Sequence, residues 1–474
     1  METIILVPGI EGSCLSLGQT PVWPPTLDEI AWEGYHRISE LLDPAVVATA
    51  IWAELPVWEG YSYPVYRPIM TKLDQIAGRL GASRVDFYYD WRVDLWQTAP
   101  AFTASSEMLA QRLAKAVSDG ATSITLVCHS MGNLVARLVL ESRKYRNANW
   151  FARIGRLICI CGPHLGAAAA LGHALGCEDG ALGLSSDDYR QIANNPLYPA
   201  GFQCFPKPGT EVLLDTSLGQ RQQNQDVYDT AVDEKYQLMP SNARAAATSW
   251  HELDFKNRPD HVTYYLIAGT GYQTSNAYLY RGTTFVQTIT VDGDGTVPVF
   301  SALAGSYSGK YTMPGDHVGI LGTVQLADAL DEIFGLSQMR TFVMAKAGIT
   351  INLNKRTFAP DEIMQLLIIP DTPTTAIRGR LTVSAVPRAG AHSGAAALDL
   401  VPYGGGLPLE YQGPEIAQIS ARWTAPRLPG AYVMRFEGDS HQSSEQSSVV
   451  FFVNARSKSP LLRRTPDGRS TPAN

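Results

Sequence analysis

The sequence has no long hydrophobic run, no basic cluster and no spaced set of cysteines, and each lack removes a class of function. No stretch approaches the ~18 consecutive apolar residues of a membrane-spanning helix. Met1-Glu2-Thr3 leads straight into Ile4-Ile5-Leu6-Val7, too short an apolar run for the core of a secretory signal. The chain is therefore expected to be soluble and cytoplasmic, non-classical export aside. Its 38 basic and 45 acidic residues leave a formal charge of −7, which does not suit nucleic acid as a partner. The cysteines at 14, 128, 159, 161, 177 and 204 follow no metal-ligand spacing. No metal or other cofactor is expected, and the thiols read as structural; Cys177 and Cys204 are the one loop-like pair able to bridge in an exported protein.

What is present is an ordinary globular composition, 45% hydrophobic and 18% charged, long enough for two or three domains at roughly 150 residues each. Its most informative stretch is 122–140, TSITLVCHSMGNLVARLVL. Ile124, Leu126 and Val127 favour a strand, while Leu134, Val135, Leu138 and Val139 repeat along one face of a helix. Cys128-His129-Ser130-Met131-Gly132 is then the turn between them. A serine on a tight strand-to-helix turn is lifted off the sheet with its hydroxyl exposed, and the amide that follows it sits where an oxyanion would form. Cys128 takes the place of the first glycine of G-x-S-x-G, where close packing favours a small side chain.

Strands and helices alternate on either side of this turn: a strand at 3–7, a helix at 68–80, strands at 85–89 and 156–161, and further strands at 262–268 and 285–291. That alternation predicts a parallel sheet covered on both faces, the α/β class and specifically an α/β-hydrolase fold over 1–340. The loop Pro8-Gly9-Ile10-Glu11-Gly12-Ser13 leaves the first strand. Residues 14–70 hold Trp23, Trp32, Trp52 and Trp58 among prolines, either core or the lining of an acyl pocket. The alternation fails over 167–260, which reads as a lid or cap insertion, gating or merely packed. From 345 to 455, seven short candidate strands between Pro/Gly/Asp turns predict an all-β, immunoglobulin-like sandwich, one of them at 397–401. Residues 456–474 read as a disordered tail.

A serine attacks at neutral pH only if an imidazole takes its proton, and the imidazole needs a carboxylate to orient it. In the hydrolase fold the order along the chain is serine, acid, histidine. Ser130 is followed by Asp292 and Asp294 and then by His317 on a glycine-flanked loop. Asp294 is preferred because it lies further past its strand and precedes a turn, with Asp292 as the alternative acid. His129 must point away from Ser130, and His164 precedes the acid. Asp316 is too close to His317 to orient its ring and is expected to hold its own loop.

These motifs together resemble the lecithin:cholesterol acyltransferase-like family, which includes lysosomal phospholipase A2. The resemblance rests on Val7-Pro8-Gly9-Ile10-Glu11-Gly12-Ser13, Tyr89-Asp90-Trp91-Arg92, His129-Ser130-Met131-Gly132-Asn133, Gly269-Thr270-Gly271, Asp292-Gly293-Asp294-Gly295-Thr296-Val297-Pro298 and Asp316-His317-Val318-Gly319-Ile320-Leu321. It implies Ser130, Asp294 and His317 as a triad, the Ile10 and Met131 amides as an oxyanion hole, and acyl-ester or lipid substrates with room for peripheral lipid contact. The sequence departs from the family in its added sandwich, whose partner is unknown, and in having no evident N-terminal cysteine loop. Three readings stay open: an esterase or lipase, an O-acyltransferase using an alcohol acceptor, and an idle scaffold carrying a binding sandwich.

Overall fold

A computed structural model describes residues 1–58, 61–99, 102–217, 222–305, 309–336, 349–388, 401–438 and 448–457. Six strands form one sheet: β1 (Glu2–Val7), β2 (Ser83–Asp86), β3 (Ser123–His129), β4 (Ile154–Ile160), β5 (Thr263–Thr270) and β6 (Gly309–Pro314). Their spatial order is β6-β5-β4-β3-β1-β2. Every neighbouring pair is parallel. Parallel strands are buried on both faces, so they need apolar residues in unbroken runs rather than in alternation. In β3, Ile124, Leu126, Val127 and Cys128 are accordingly all fully buried.

Helices α1 (Arg67–Leu80), α2 (Ser105–Ser118), α3 (Gly132–Glu141) and α4 (Val324–Ile333) accompany the sheet. Ile69, Leu73, Ile76 and Ala77 make the buried stripe of α1. All ten residues of α3 are buried, so its two charged side chains must satisfy each other. Arg137 donates to both carboxylate oxygens of Glu141 at 2.8 Å and stacks 3.7 Å from the Phe255 ring centre. Arg137→Met, which leaves Glu141 buried and unpaired, is expected to destabilise the protein by about 3–5 kcal/mol, read by urea denaturation. This is the α/β-hydrolase arrangement.

One expectation is corrected. Residues 285–291 do not join the main sheet: Thr284–Gly293 runs back antiparallel along Tyr272–Arg281, a strand the sequence reading did not contain. Only Gly282 (φ 65°) and Thr283 separate the two, and a two-residue link permits a hairpin but no parallel crossover. The ribbon pairs with Leu213–Asp215, which pairs with Gln223–Asn224, in a separate four-stranded sheet. Helices Ala168–Leu175, Ser186–Ala193, Ala200–Gln203, Thr230–Tyr236 and Pro240–Glu252 lie in the rest of the region expected as the insertion. Its own core joins Leu171, Phe202, Phe205 and Leu213 to Tyr278 of the ribbon.

The C-terminal part holds two further sheets. One has the order Ile349–Leu353, Ile363–Pro370, Ile419–Thr424; the other runs Thr357–Phe358, Ser448–Val453, Gly430–Gly438, Thr374–Ala385, Val401–Pro402. Ile351, Leu366 and Ile368 of the first share a core with Leu381, Met434 and Phe451 of the second, so the sheets face each other. Leu407–Ile416, a strand not foreseen, pairs with Thr374–Ala385. The expected strand at 397–401, apart from Val401, and the tail from 458 onward lie outside the described residues. Among the described residues all six cysteines are unpaired thiols, Cys177 and Cys204 included, and no helix is long and apolar enough to cross a membrane.

Candidate active site

Ser130 sits between β3 and α3 with φ 52°, the left-handed conformation that a tight strand-to-helix turn imposes. Its amide donates to the Ile160 carbonyl of β4 at 3.0 Å, and Asn133 Nδ2 donates to the carbonyls of Ser130 and Ile160 at 2.9 and 3.1 Å. Two glycines make the turn possible. A Cβ on Gly132 would stand 2.5 Å from the Pro8 carbonyl oxygen, and one on Gly9 would stand 2.5 Å from the Ser130 Cβ. The loop that leaves β1 thus passes directly over the serine. Its next residue is Ile10, while Met131 is the cap of α3, so the two sequence-predicted oxyanion residues immediately follow Gly9 and Ser130. Gly9→Ala is expected to lower kcat by about 10²-fold or more, since a backbone-borne methyl cannot swing aside and small displacements at a reacting centre cost that much. Steady-state kinetics checks it, with a melting curve showing that the fold persists.

The structure brings Ser130, His317 and Asp294 together. His317 Nε2 is 2.8 Å from Ser130 Oγ and Nδ1 is 2.8 Å from Asp294 Oδ2. A carboxylate can only accept, so Nδ1 carries the proton and Nε2 is left free to take the serine's. Asp294 is 1% exposed. Its Oδ1 accepts the amides of Thr296 at 2.9 Å and Val297 at 2.7 Å, and its backbone carbonyl accepts the His317 amide at 2.9 Å. The alternative acid does other work: Asp292 Oδ1 accepts the Gly271 amide at 2.8 Å and Oδ2 the Thr270 hydroxyl, which clasps the root of the ribbon. Asp316 Oδ1 accepts the amides of Gly319 at 2.8 Å and Val318 at 3.2 Å, within its own loop.

Burial alone would push the Asp294 carboxyl up, but the His317 charge and the two amides outweigh it and hold it below the usual carboxylate range. For His317 burial pulls down, and the Asp294 charge and hydrogen bond outweigh that and raise it. A general base must be neutral to accept a proton. kcat/KM is therefore expected to climb with pH along a limb whose midpoint lies above the ordinary histidine value of 6.5. Measuring kcat/KM against pH checks this. His129 does not contribute to that limb, because burial and then the neighbouring His317 charge push it down to about 3.

His129 has a different place, which the sequence did not reveal. The Gly9 amide donates to Tyr66 Oη at 2.9 Å, the Tyr66 hydroxyl to His129 Nδ1 at 2.7 Å, and His129 Nε2 to the His317 carbonyl at 2.8 Å. This chain ties the loop over the serine to the loop bearing the imidazole. Tyr66 lies in no motif, and its contacts span more than fifty residues of sequence, so no local signal marks it.

A cavity of about 540 Å³ opens on Ser130 and His317, within the range of ordinary ligand sites. Trp52 and Trp91 border one part, Ala169, Tyr189 and Ile192 of the insertion another, and residues 354–357 of the C-terminal part a third. Trp23 is fully buried, with its ring edge-on to Trp52 and Trp91. Of the tryptophan-rich stretch, Trp23 is core and Trp52 reaches the cavity. A larger hollow of about 810 Å³ beside Asp94, Phe102 and Leu197 includes none of the three residues of the relay.

Residues 55–236 match the family described as lecithin:cholesterol acyltransferase. The chain is similar to that family. The lecithin:cholesterol acyltransferase-like segment contains Ser130 and ends before Asp294 and His317. None of the curated proteins matches at a significant level. Among solved structures, the Bacillus licheniformis lipase BlEst2 in propeptide form is 11% identical with a TM-score of 0.32, the match covering 95% of this chain and 92% of that one. Phospholipase PlaB from Legionella pneumophila is 12% identical with a TM-score of 0.29, at 95% and 90% coverage. An alpha/beta hydrolase fold protein from Nakamurella multipartita is 9% identical with a TM-score of 0.27, at 69% and 92%. At these scores the structural likenesses carry no residue roles. The match over 55–236, together with the Ser130–His317–Asp294 relay, supports an enzyme of the serine hydrolase or acyltransferase class.

Proposed function

We propose that the chain is a lipase-type serine esterase that cleaves acyl esters through an acyl-enzyme on Ser130. The observation that carries the reading is the unbroken Ser130–His317–Asp294 relay at the wall of a cavity partly lined by tryptophan and alanine. Ser130 Oγ attacks the ester carbonyl carbon while His317 Nε2 takes its proton, and Asp294 stabilises the imidazolium. The Ile10 and Met131 amides donate to the oxyanion. Collapse breaks the ester bond, the departing alcohol takes the proton from His317, and the acyl group stays on Ser130. Water then attacks the acyl-enzyme, His317 takes the water's proton and returns it to Ser130, and the acid leaves.

The matched family favours a second reading at the same site, in which an alcohol replaces water and a new ester leaves. The idle-scaffold reading has little support, since an unused site has no need of a complete relay.

The test is covalent labelling of the full chain with a fluorophosphonate, followed by peptide mapping. The label is expected on Ser130; a label confined to another serine overturns the assignment. Product analysis of acyl esters with and without a long-chain alcohol separates the two enzymatic readings, because new ester appears only under transfer.

A further inference from the structure

Residues 354–357, which leave the first sandwich strand and begin the second, touch the loop after Asp294, the insertion, the His317 loop and Tyr63. A Cβ on Gly295, next to Asp294, would stand 2.9 Å from the Asn354 carbonyl oxygen. Lys355 Nζ bridges Asp179 of the insertion at 3.0 Å and Glu362 of the sandwich at 2.8 Å. Arg356 Nη2 pairs with Asp316 Oδ2 at 2.9 Å, and its guanidinium lies 5.6 Å from the Tyr63 ring centre. Thr357 Oγ1 accepts the Leu182 amide at 3.2 Å. The segment is itself held from behind: the Asn354 amide donates to the Gln365 carbonyl at 3.1 Å and the Arg356 carbonyl accepts the Phe452 amide at 2.8 Å, one strand from each sheet. All four residues border the cavity that holds Ser130.

We propose that the sandwich is a working part of the active site rather than an appendage, and that Arg356 is a positioning residue which, through Asp316, holds the His317 loop and balances the charge beside the imidazole. The inference rests on the Ser130 relay being the reaction centre. Asp316 already spends one carboxylate oxygen on the turn amides of Val318 and Gly319, so its other oxygen is the one a neighbour can grip. Arg356 grips it from the sandwich. Close fit is part of the contact, since a Cβ on Gly319 would lie 2.8 Å from Arg356 Nη2.

The charge balance gives a readout that a merely structural contact would not move. Facing His317 are Asp294 at Nδ1, Asp316 along its own loop, the neutral His129 ring at 4.8 Å and the Cys161 thiol, whose sulfur lies within 4.8 Å of an Asp294 carboxylate oxygen and a His317 ring nitrogen. Tyr63 and Tyr272 flank Arg356. Burial works against the Arg356 charge, but the Asp316 carboxylate outweighs it and keeps it protonated. Asp316 favours the charged imidazole. Removing Arg356 leaves that pull unopposed, so the base stays protonated to higher pH; removing Asp316 does the reverse.

The experiment follows the rate of fluorophosphonate labelling at Ser130 against pH in the full chain. Arg356→Gln is expected to slow labelling about tenfold near neutral pH and to move the acid limb up by about one unit. Arg356→Lys should return the limb most of the way. Asp316→Asn should move it down, and the double variant should follow Asp316→Asn. An unmoved limb in Arg356→Gln, whether the rate is normal or uniformly lower, overturns the proposal. If melting curves show that Arg356→Gln does not fold, Asp316→Asn decides alone, an unmoved limb again overturning it. Absence of Ser130 labelling in the unaltered chain would instead sink the relay reading itself.

Discussion

Ser130→Ala and His317→Ala are each expected to lower kcat by about 10⁶-fold, and the double variant by hardly more. The two side chains act as one unit: without the serine there is nothing to acylate, and without the imidazole the hydroxyl keeps its proton. On the proposed mechanism, what remains comes from groups that the substitutions leave in place, the amides of Ile10 and Met131 and the cavity wall, and about 10³-fold over the uncatalysed reaction is the residue to look for. Melting curves separate this from a folding defect: Ser130→Ala leaves no buried charge unpaired, whereas His317→Ala takes the partner from the buried Asp294 carboxylate and is expected to melt lower. A Ser130→Ala enzyme retaining more than about a hundredth of its activity would remove the serine from the mechanism.

Asp294→Asn is expected to lower kcat about 10⁴-fold while the melting temperature changes little. The asparagine is nearly isosteric and can still be held by the Thr296 and Val297 amides, which now lie on Oδ1. An amide facing Nδ1 through its NH₂ would force the wrong tautomer, leaving the proton on Nε2 where Ser130 needs an acceptor. Asp292→Asn is the matched control. Its carboxylate engages Thr270 and Gly271 on the exposed side of the ribbon root, so kcat should stay within about threefold of the starting value. Kinetics of the two variants side by side distinguishes the acids; equal losses would mean that the ribbon root, not the relay, governs the rate.

Local pattern carried the reading wherever a side chain's task is set by its immediate neighbours. The apolar run of β3, broken only by Thr125, the stripe of α3 and the glycine at 132 each declare themselves within ten residues, and so the serine turn and its sheet were legible. So was most of the two-sheet C-terminal part, because strands and turns alternate there at short range. The ribbon was not. Residues 285–291 look like a strand in either setting, and the deciding feature is the pair Gly282-Thr283, too short a link for a crossover. Tyr66 and Arg356 were invisible for another reason: the hydrogen bonds to Gly9, His129 and Asp316 join segments 57, 63 and 40 residues apart, and no periodicity records such a meeting.

The ribbon also bears on how relatives of this chain should be compared. Tyr272 pairs with Gly293 at its base, and Asp292 fastens that base to Thr270 and Gly271. The position of Asp294 is therefore set by where the ribbon starts and returns, while its outer half is held separately, by the pairing of Tyr278–Tyr280 with Leu213–Asp215. Relatives with residues gained or lost at the tip, beyond the segment paired with Leu213–Asp215, would still have the carboxylate beside the same imidazole. Counting residues from the serine will misplace the acid in such relatives, whereas looking for the clasp at the ribbon's root will find it.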